Sequence, residues 1–290
     1  MVATWVAPLL SASLLGACSE DPHPTTPTDR GDPAPDVASD PSPPSAEYTV
    51  IEDPAELERV GALAGAVRWA GERPEVARFT VDTHAEACGE QRESEALRIS
   101  SRGGVAGTVV ELVDVRRGRA LDVPAEAPLL AHERCRFVPH LVSVTLGQPL
   151  RLANRDPVIH NVHATLDGRT AIDVGLPEQG SQVARSLSTP GIYRVVDDAG
   201  HGWEQAWIVA TAHPYVAISD EDGRFRIEGV PPASYTVRVW HEGWRVLGEA
   251  SGRPRYSAPV ILTRQISVAP RQETTVDFEL SQALGELAGD

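Results

Sequence analysis

The sequence contains few sulfur-bearing side chains. Its only methionine is Met1, and its three cysteines are Cys18, Cys88 and Cys135. A blue-copper centre takes a cysteine thiolate and usually a weak axial methionine thioether. Met1 heads a segment that we expect to be removed on export, so no thioether ligand remains in the mature protein. The composition therefore argues against a single-electron carrier of the ordinary blue-copper kind.

Lysine is absent, and the charge balance is strongly acidic. All 26 basic residues are arginine against 41 acidic residues, which gives a formal net charge of −15 at pH 7. Because phosphate binding needs basic patches, we expect no nucleic-acid partner. Anionic membrane surfaces should also repel the chain unless a covalent tether holds it. Hydrophobic residues make up 41% of the sequence, which is enough for folded cores.

Common enzyme signatures are missing from the sequence. It has no Gly-x-Ser-x-Gly nucleophile elbow, no His-Glu-x-x-His zinc motif, no phosphate-binding loop and no dinucleotide fingerprint. We therefore expect a non-catalytic protein.

The N-terminal segment is typical of an exported bacterial lipoprotein. Residues 5–17 form a short apolar run, and residues 14–18 read Leu-Leu-Gly-Ala-Cys, which resembles a lipobox. This resemblance implies a signal over residues 1–18, acylation of Cys18 and a lipid anchor in the cell envelope, with the protein periplasmic or surface-exposed. An ordinary secretory signal with an incidental cysteine is the alternative. Residues 1–4 carry no Lys or Arg, which departs from the usual signal pattern.

The two remaining cysteines are predicted to form a disulfide. If Cys18 carries lipid, Cys88 and Cys135 are left as a pair, and export places them in an oxidising compartment where a disulfide persists. Two separate buried thiols are the alternative.

Residues 19–47 are predicted to be a disordered linker. They contain eight prolines and seven acidic residues but no Leu, Ile or aromatic residue, so they cannot bury a core. Such a segment would hold the folded part away from a membrane.

From residue 48 onward the pattern is typical of β-structure. Short apolar or alternating segments are separated by Gly and Pro, as in residues 109–115, 142–146, 191–196 and 206–210. Short strands at regular spacing favour an all-β sandwich fold. A short helix is predicted after Asp53, which can cap it, and another helical turn is predicted after Ser281.

The C-terminal part resembles a known accessory module. Asp220-Glu-Asp-Gly223 predicts a hairpin turn, followed by Arg-Phe-Arg-Ile and by Val-Pro-Pro-Ala-Ser-Tyr-Thr-Val. These motifs resemble the carboxypeptidase regulatory-like, transthyretin-like β-sandwich, which carries no protease residues. The resemblance implies a second, smaller sandwich over residues 213–281, with a tail at 282–290. Trp240-His241-Glu242 is expected at the interface of the two sandwiches.

Two other segments resemble the ligand loops of a plastocyanin-like cupredoxin. Residues 154–162 contain His160, and residues 198–204 contain His201 and a tryptophan. Related bacterial proteins read Cys-x-x-His-x-Trp-Met in the second loop, whereas this chain has Asp198 and Glu204 at the Cys and Met positions. The resemblance implies a Greek-key cupredoxin-like sandwich over residues 48–212, with a degenerate copper site.

The substituted site leaves two functions open. His160, His201 and Asp198 could hold Cu(II) or Zn(II), because imidazole and carboxylate suit both ions. Glu204 is a further possible ligand, and His163 can join only if a bulge interrupts the strand, since an odd separation points side chains to opposite faces.

Alternatively the site is vestigial, and hydrogen bonds satisfy the histidines. The first expectation is then a lipid-anchored binding or structural protein with an envelope protein or glycan partner. The rival is a copper(II)-binding protein, and an oxidase-type copper enzyme is a poorer third possibility.

Overall fold

The computed structural model describes residues 48–121 and 123–287, and its regular structure is almost entirely β-strand. The predicted all-β class is confirmed. The predicted signal, Cys18 and the linker over 19–47 lie outside the described residues, as do residues 288–290 of the tail.

The strands fall into three groups along the chain. The first group is β1 (Thr49–Val50), β2 (Gly61–Ala70), β3 (Arg78–Thr80), β4 (Gln91–Glu93), β5 (Arg98–Ile99), β6 (Val105–Ala106), β7 (Val109–Val113) and β8 (Arg117–Gly118). The second is β9 (Leu129–His132), β10 (Phe137–Val138), β11 (Leu141–Thr145), β12 (Leu150–Asn154), β13 (His160–Leu166), β14 (Arg169–Leu176), β15 (Gln182–Arg185), β16 (Gly191–Val196) and β17 (Gln205–Thr211). The third is β18 (Val216–Ile218), β19 (Arg224–Val230), β20 (Ala233–His241), β21 (Val246–Ala250), β22 (Arg253–Tyr256), β23 (Val260–Val268), β24 (Glu273–Thr275) and β25 (Phe278–Ser281).

The second group of strands forms what we call the first sandwich. One sheet has the order β10-β9-β12-β15, and the other has the order β11-β17-β16-β13-β14. The pairs β9–β12 and β11–β17 are parallel, and the other neighbours are antiparallel. Alternate residues of each strand point inward, as in β12, where Leu150 and Leu152 are fully buried. Burying a side chain of this size stabilises the fold by roughly 1.5–3 kcal/mol.

The second sandwich combines strands from both ends of the described chain. Its sheets have the orders β18-β7-β20-β23 and β19-β2-β24, and β25 also pairs with β2. Their shared core includes Leu63, Leu112, Phe225 and Val237. Strands β2 and β7 precede the first sandwich, so this arrangement differs from the predicted division into residues 48–212 and 213–281.

Gly65 allows β2 to pack closely within the second sandwich. A Cβ atom at Gly65 would lie 1.8 Å from the carbonyl oxygen of Val276. Only a strand without a side chain at this point can approach the neighbouring backbone so closely. The predicted hairpin turn lies next to β2, and Gly223 adopts a φ of 77° there.

The helices are short. They are α1 (Pro54–Leu57), α2 (Ala85–Cys88) and α3 (Gln282–Leu287). Asp53 caps α1 by accepting a hydrogen bond from the backbone N–H of Ala55 at 2.9 Å, as its position predicts. No helix among the described residues is both long and apolar enough to cross a membrane.

A buried polar contact joins the two sandwiches. Glu242, just after β20, accepts hydrogen bonds from Trp207 Nε1 at 2.8 Å and Gln205 Nε2 at 3.0 Å, and it pairs with His140 Nε2. Burial alone would lower the pKa of His140, but the Glu242 carboxylate outweighs it and raises that pKa. The Trp207 and Trp240 rings meet edge to face with centroids 4.8 Å apart. The predicted role of residues 240–242 at the interface agrees with these contacts.

Candidate metal centre

The predicted disulfide is present beside the site. Cys88, at the end of α2, is bonded to Cys135 with an S–S distance of 1.96 Å, and both residues are fully buried. Closing the intervening loop of 47 residues contributes about 4 kcal/mol in the chain-entropy model. Because both sulfurs are bonded to each other, neither offers a thiolate ligand in this form.

The two predicted histidines come together at one end of the first sandwich. His160 is the first residue of β13, and His201 lies in the loop between β16 and β17. Both are fully buried, and their ring centroids are 4.4 Å apart. The Trp203 indole and the His201 ring meet edge to face, with centroids 5.3 Å apart.

The carboxylate beside these histidines is Asp197, not the predicted Asp198. Asp197 is fully buried, and its Oδ2 lies 2.7 Å from His160 Nδ1 and 3.3 Å from His201 Nδ1. Asp198 follows β16 and points the other way, because successive side chains of an extended segment alternate. It binds His163 Nδ1 and Arg253 NH2, each at 2.6 Å.

His163 is therefore separated from His160. It lies on the outer face of β13, three residues along the strand, and its Nε2 contacts Thr170 Oγ1 at 2.9 Å. The predicted set of His160, His201, Asp198 and His163 thus divides into a buried pair and a surface pair.

His132, which sequence reasoning missed, completes the buried group. It ends β9, and β9 pairs in parallel with β12, where Asn154 lies opposite His132. Its ring stacks on the ring of His160, with centroids 4.2 Å apart and an interplanar angle of 9°. Its Nδ1 lies 2.8 Å from Glu204 Oε2. The only sequence signal was a polar residue at the end of an apolar strand.

A third carboxylate, Asp156, supports His160 from the opposite side. Asp156 Oδ2 lies 3.1 Å from His160 Nε2, and the same carboxylate accepts backbone N–H groups of Arg134 at 2.6 Å and Cys135 at 2.7 Å. Asn154 Oδ1 in turn accepts the Asp156 N–H at 2.8 Å. These bonds fix the ring of His160 and also hold the backbone of Cys135. We call His132, His160, His201, Asp156, Asp197 and Glu204 the histidine–carboxylate cluster.

Burial and pairing set the protonation of this cluster. Burial would lower the pKa of His160, but hydrogen bonds to Asp156 and Asp197 outweigh it and raise that pKa to about 9. Burial raises the pKa of Glu204 to about 8, and burial together with the neighbouring His160 charge lowers the pKa of His132 to about 3.

The two aspartates behave in the opposite way. Burial would raise the pKa of Asp156, but its hydrogen bonds to His160 and to backbone N–H groups lower it to about 2. The pKa of Asp197 is also lowered, because hydrogen bonds to His160 and His201 outweigh burial. At neutral pH one imidazolium therefore faces two carboxylates, while His132 and Glu204 are neutral.

Two buried polar atoms of the cluster lack a hydrogen-bond partner among the described residues. They are Nε2 of His132 and Oε1 of Glu204. Glu204 Oε1 lies 3.3 Å from His160 Nδ1, whose shorter contact is with Asp197. Buried polar atoms are usually satisfied, so unsatisfied ones inside a charged cluster indicate a missing ligand or water.

The cluster fits a divalent metal with nitrogen and oxygen ligands. One ligand atom each from His132, His160, Asp197 and Glu204 all lie within 4.8 Å of one another. A tetrahedral site with metal–ligand bonds of about 2.0–2.2 Å has ligand atoms about 3.4 Å apart. The Nδ1 atoms of His160, His201 and His132 lie 2.7, 3.3 and 3.8 Å from Asp197 Oδ2. A blue-copper centre does not fit, since neither thiolate nor thioether is available.

An open cleft reaches the edge of the cluster. Its volume is about 370 Å³, and Arg92, Arg136, Trp203 and Glu204 are among its lining residues. Glu204 is thus the member of the cluster that faces the cleft.

Comparison with family models gives one match, in the C-terminal part of the chain. The family model of the carboxypeptidase regulatory-like domain matches residues 194–281, so the predicted resemblance of the C-terminal part is confirmed and begins earlier than residue 213. No curated protein gives a match.

Cupredoxins are among the solved structures that this chain is similar to. A novel purple cupredoxin from Nitrosopumilus maritimus is 12% identical, with a TM-score of 0.26, over 29% of this chain and 99% of that one. An oxidized mutant of amicyanin is 17% identical, with a TM-score of 0.27, over 40% of this chain and 100% of that one. A Cu-containing nitrite reductase (NirK) from Thermus scotoductus SA-01 is 14% identical, with a TM-score of 0.27, over 32% of this chain and 24% of that one.

Proposed function

We propose that this chain is a divalent-metal-binding protein, with His132, His160, His201, Asp197 and Glu204 as the ligands. The observation that carries the proposal is the convergence of ligand atoms of His132, His160, Asp197 and Glu204 within 4.8 Å in a buried cluster. His201 lies beside this group, with its Nδ1 3.3 Å from Asp197 Oδ2. Imidazole and carboxylate ligands suit Cu(II) and Zn(II), and Cu(II) ranks higher in affinity at such sites.

Metal binding at this site should release protons. A ligand nitrogen of His160 and the carboxyl of Glu204 must lose their protons, and burial and pairing raise both pKa values, to about 9 and about 8. We therefore expect metal affinity to increase as the pH rises from 6 to 9.

A specific observation also favours the metal-free alternative. The contacts His160–Asp197 at 2.7 Å, His160–Asp156 at 3.1 Å and His132–Glu204 at 2.8 Å can satisfy much of the cluster without an ion. In that case the protein is a binding or structural module, and sandwich loops contact an envelope protein or a glycan.

The cellular setting belongs to the same proposal. The lipobox-like residues 14–18 support acylation of Cys18 and attachment to a bacterial envelope membrane through lipid. The proline-rich stretch at 19–47 would then separate the sandwiches from the membrane. We propose a non-catalytic role, which the missing enzyme motifs support.

A Cu(II) titration tests the proposal. The full chain with Cys18→Ser, kept oxidised, is titrated with Cu(II) and followed by electron paramagnetic resonance. We expect one equivalent with nitrogen coupling, and we expect it to be lost in His160→Ala/His201→Ala.

Adjacent aspartates give a matched control for this titration. Asp197→Asn should weaken binding at least tenfold, whereas the exposed Asp198→Asn should bind like the parent protein. Binding that persists in the double histidine variant would refute the metal centre and leave the metal-free alternative.

A further inference from the structure

The disulfide lies directly against the histidine–carboxylate cluster. The sulfurs of Cys88 and Cys135 and a ring nitrogen of His201 all lie within 4.8 Å of one another. The sulfur of Cys135 is equally close to ligand atoms of His160 and Asp156. The bridge therefore lies close to two histidines of the cluster, His201 and His160.

The oxidation state of this pair decides which ligand atoms the site offers. A dithiol can reduce the bridge: the S–S bond takes up two electrons and two protons, and the dithiol becomes a disulfide. The products are two thiols, one at Cys88 and one at Cys135. On binding a metal each thiol loses its proton and becomes a thiolate, which soft and borderline cations prefer.

We propose that reduction of the Cys88–Cys135 bridge creates a second form of the metal centre, with two thiolates and the imidazoles of His160 and His201. This form would bind Cu(I) or Zn(II), because two cysteines with two histidines make a closed tetrahedral set. The inference builds on the proposed metal centre, since His160 and His201 serve both forms. Exchange with a disulfide oxidant, which takes up the two electrons and two protons and becomes a dithiol, would close the bridge again and restore the nitrogen–oxygen set.

Neighbouring hydrogen bonds keep Cys135 in place whether or not the bridge is closed. Its backbone N–H donates to Asp156 at 2.7 Å, and its carbonyl accepts from Trp203 Nε1 at 3.0 Å. On the Cys88 side of the bridge, His84 precedes α2 and contacts the cluster, with its Nδ1 3.1 Å from His201 Nε2. The sulfurs therefore stay beside the histidines after reduction.

The bridge also belongs to a small apolar cluster of its own. Cys88 and Cys135 pack with Val81, apart from the large cores of both sandwiches. Opening the short α2 segment to admit a dithiol would leave those cores intact.

Cobalt(II) tests the inference, because a thiolate bound to Co(II) gives a near-ultraviolet charge-transfer absorption that nitrogen and oxygen ligands do not give. The full chain with Cys18→Ser is reduced with a dithiol, freed of it under argon and titrated with one equivalent of Co(II). We expect the thiolate band in the reduced protein. We expect no such band in the oxidised protein or in Cys88→Ser/Cys135→Ser treated in the same way.

The oxidised sample separates this inference from the proposed function. Co(II) bound there without the thiolate band supports the nitrogen–oxygen centre alone. If the oxidised protein binds Co(II) but the reduced protein shows no thiolate band, the redox inference fails and the proposed function stands. If the oxidised protein binds nothing and the reduced protein shows the band, the proposed function fails.

A single substitution keeps the test valid if the reduced protein unfolds. Cys88→Ser leaves one thiol at Cys135 beside His160 without any reductant. We expect a thiolate band of about half the intensity, lost when His160→Ala/His201→Ala is added and kept when the surface His163→Ala is added. Absence of the band in Cys88→Ser would overturn the inference.

Discussion

Replacing Asp197 with asparagine should destabilise the metal-free protein far more than the same change at Asp198. The Asp197 carboxylate bonds His160 and His201, and it also accepts the backbone N–H groups of Ala199 at 2.5 Å and Asn161 at 3.2 Å. Removing one partner of a buried ion pair leaves a buried charge without compensation, which is strongly destabilising.

The magnitude follows from His160. Pairing outweighs burial and raises its pKa from 6.5 to about 9. One tenfold change in proton affinity corresponds to about 1.4 kcal/mol, so the net stabilisation of the imidazolium is about 3 kcal/mol. Asp156 supplies part of this stabilisation, but Asp197 also bonds His201 and two backbone N–H groups. We expect Asp197→Asn to lower the free energy of unfolding by about 2–3 kcal/mol and the exposed Asp198→Asn by at most about 1 kcal/mol.

The pH dependence provides an internal check on this assignment. The folded-state pKa of His160 is raised, so its contribution is complete below the unfolded value of 6.5 and is lost as the pH rises through about 9. The folded-state pKa of Asp197 is lowered. Its contribution to the free energy of unfolding is therefore present above the pKa of the unfolded state and is lost as the pH falls below that pKa. The deficit of Asp197→Asn should therefore be largest near pH 6.

Urea unfolding of the oxidised, metal-free proteins at pH 6 and pH 10 measures this deficit. The assay compares the parent protein with Asp197→Asn and Asp198→Asn. Equal losses of stability in the two variants, or a deficit that grows at pH 10, would refute the ion-pair account of the cluster.

Three further predictions concern the residues around the cluster. Burial raises the pKa of Glu204 from 4.5 to about 8. The stability of the parent protein relative to Glu204→Gln should therefore fall between these pH values, by up to about 1.4 kcal/mol per pH unit. Urea unfolding of both proteins from pH 5 to 8 measures this difference, and a constant difference would contradict the prediction. Cys88→Ser/Cys135→Ser should lower the free energy of unfolding by about 4 kcal/mol, and an unchanged urea midpoint would contradict the predicted contribution of the bridge. Glu242→Gln removes the buried carboxylate that pairs with His140. We expect the free energy of unfolding to fall by about 3 kcal/mol, measured by thermal unfolding. A decrease below about 1 kcal/mol would contradict this prediction.

Local patterns predicted much of this protein. Alternating apolar residues indicate the β-strands, and Asp-Gly at residues 222–223 predicts the turn before β19. Cysteine parity together with export predicts the bridge of Cys88 and Cys135. His160 and His201 were identified because each belongs to a short motif, in which the residues that define the loop are neighbours in the sequence.

Other members of the site depend on contacts between distant segments. His132 reaches the cluster only because β9 pairs in parallel with β12, and no local pattern encodes which strands become neighbours. Strand β2 joins the second sandwich across the inserted first sandwich, where Gly65 allows close approach to residue 276.

The choice between Asp197 and Asp198 shows most directly where sequence reasoning ends. The sequence by itself determined the all-β class, the pairing of the cysteines and two histidines of the site, since periodicity, cysteine parity and short motifs respectively indicate these features. Only the tertiary structure decided which aspartate turns inward, because adjacent side chains at the end of β16 point to opposite sides. The register of that strand against its neighbours directs Asp197 into the buried cluster and Asp198 to the surface.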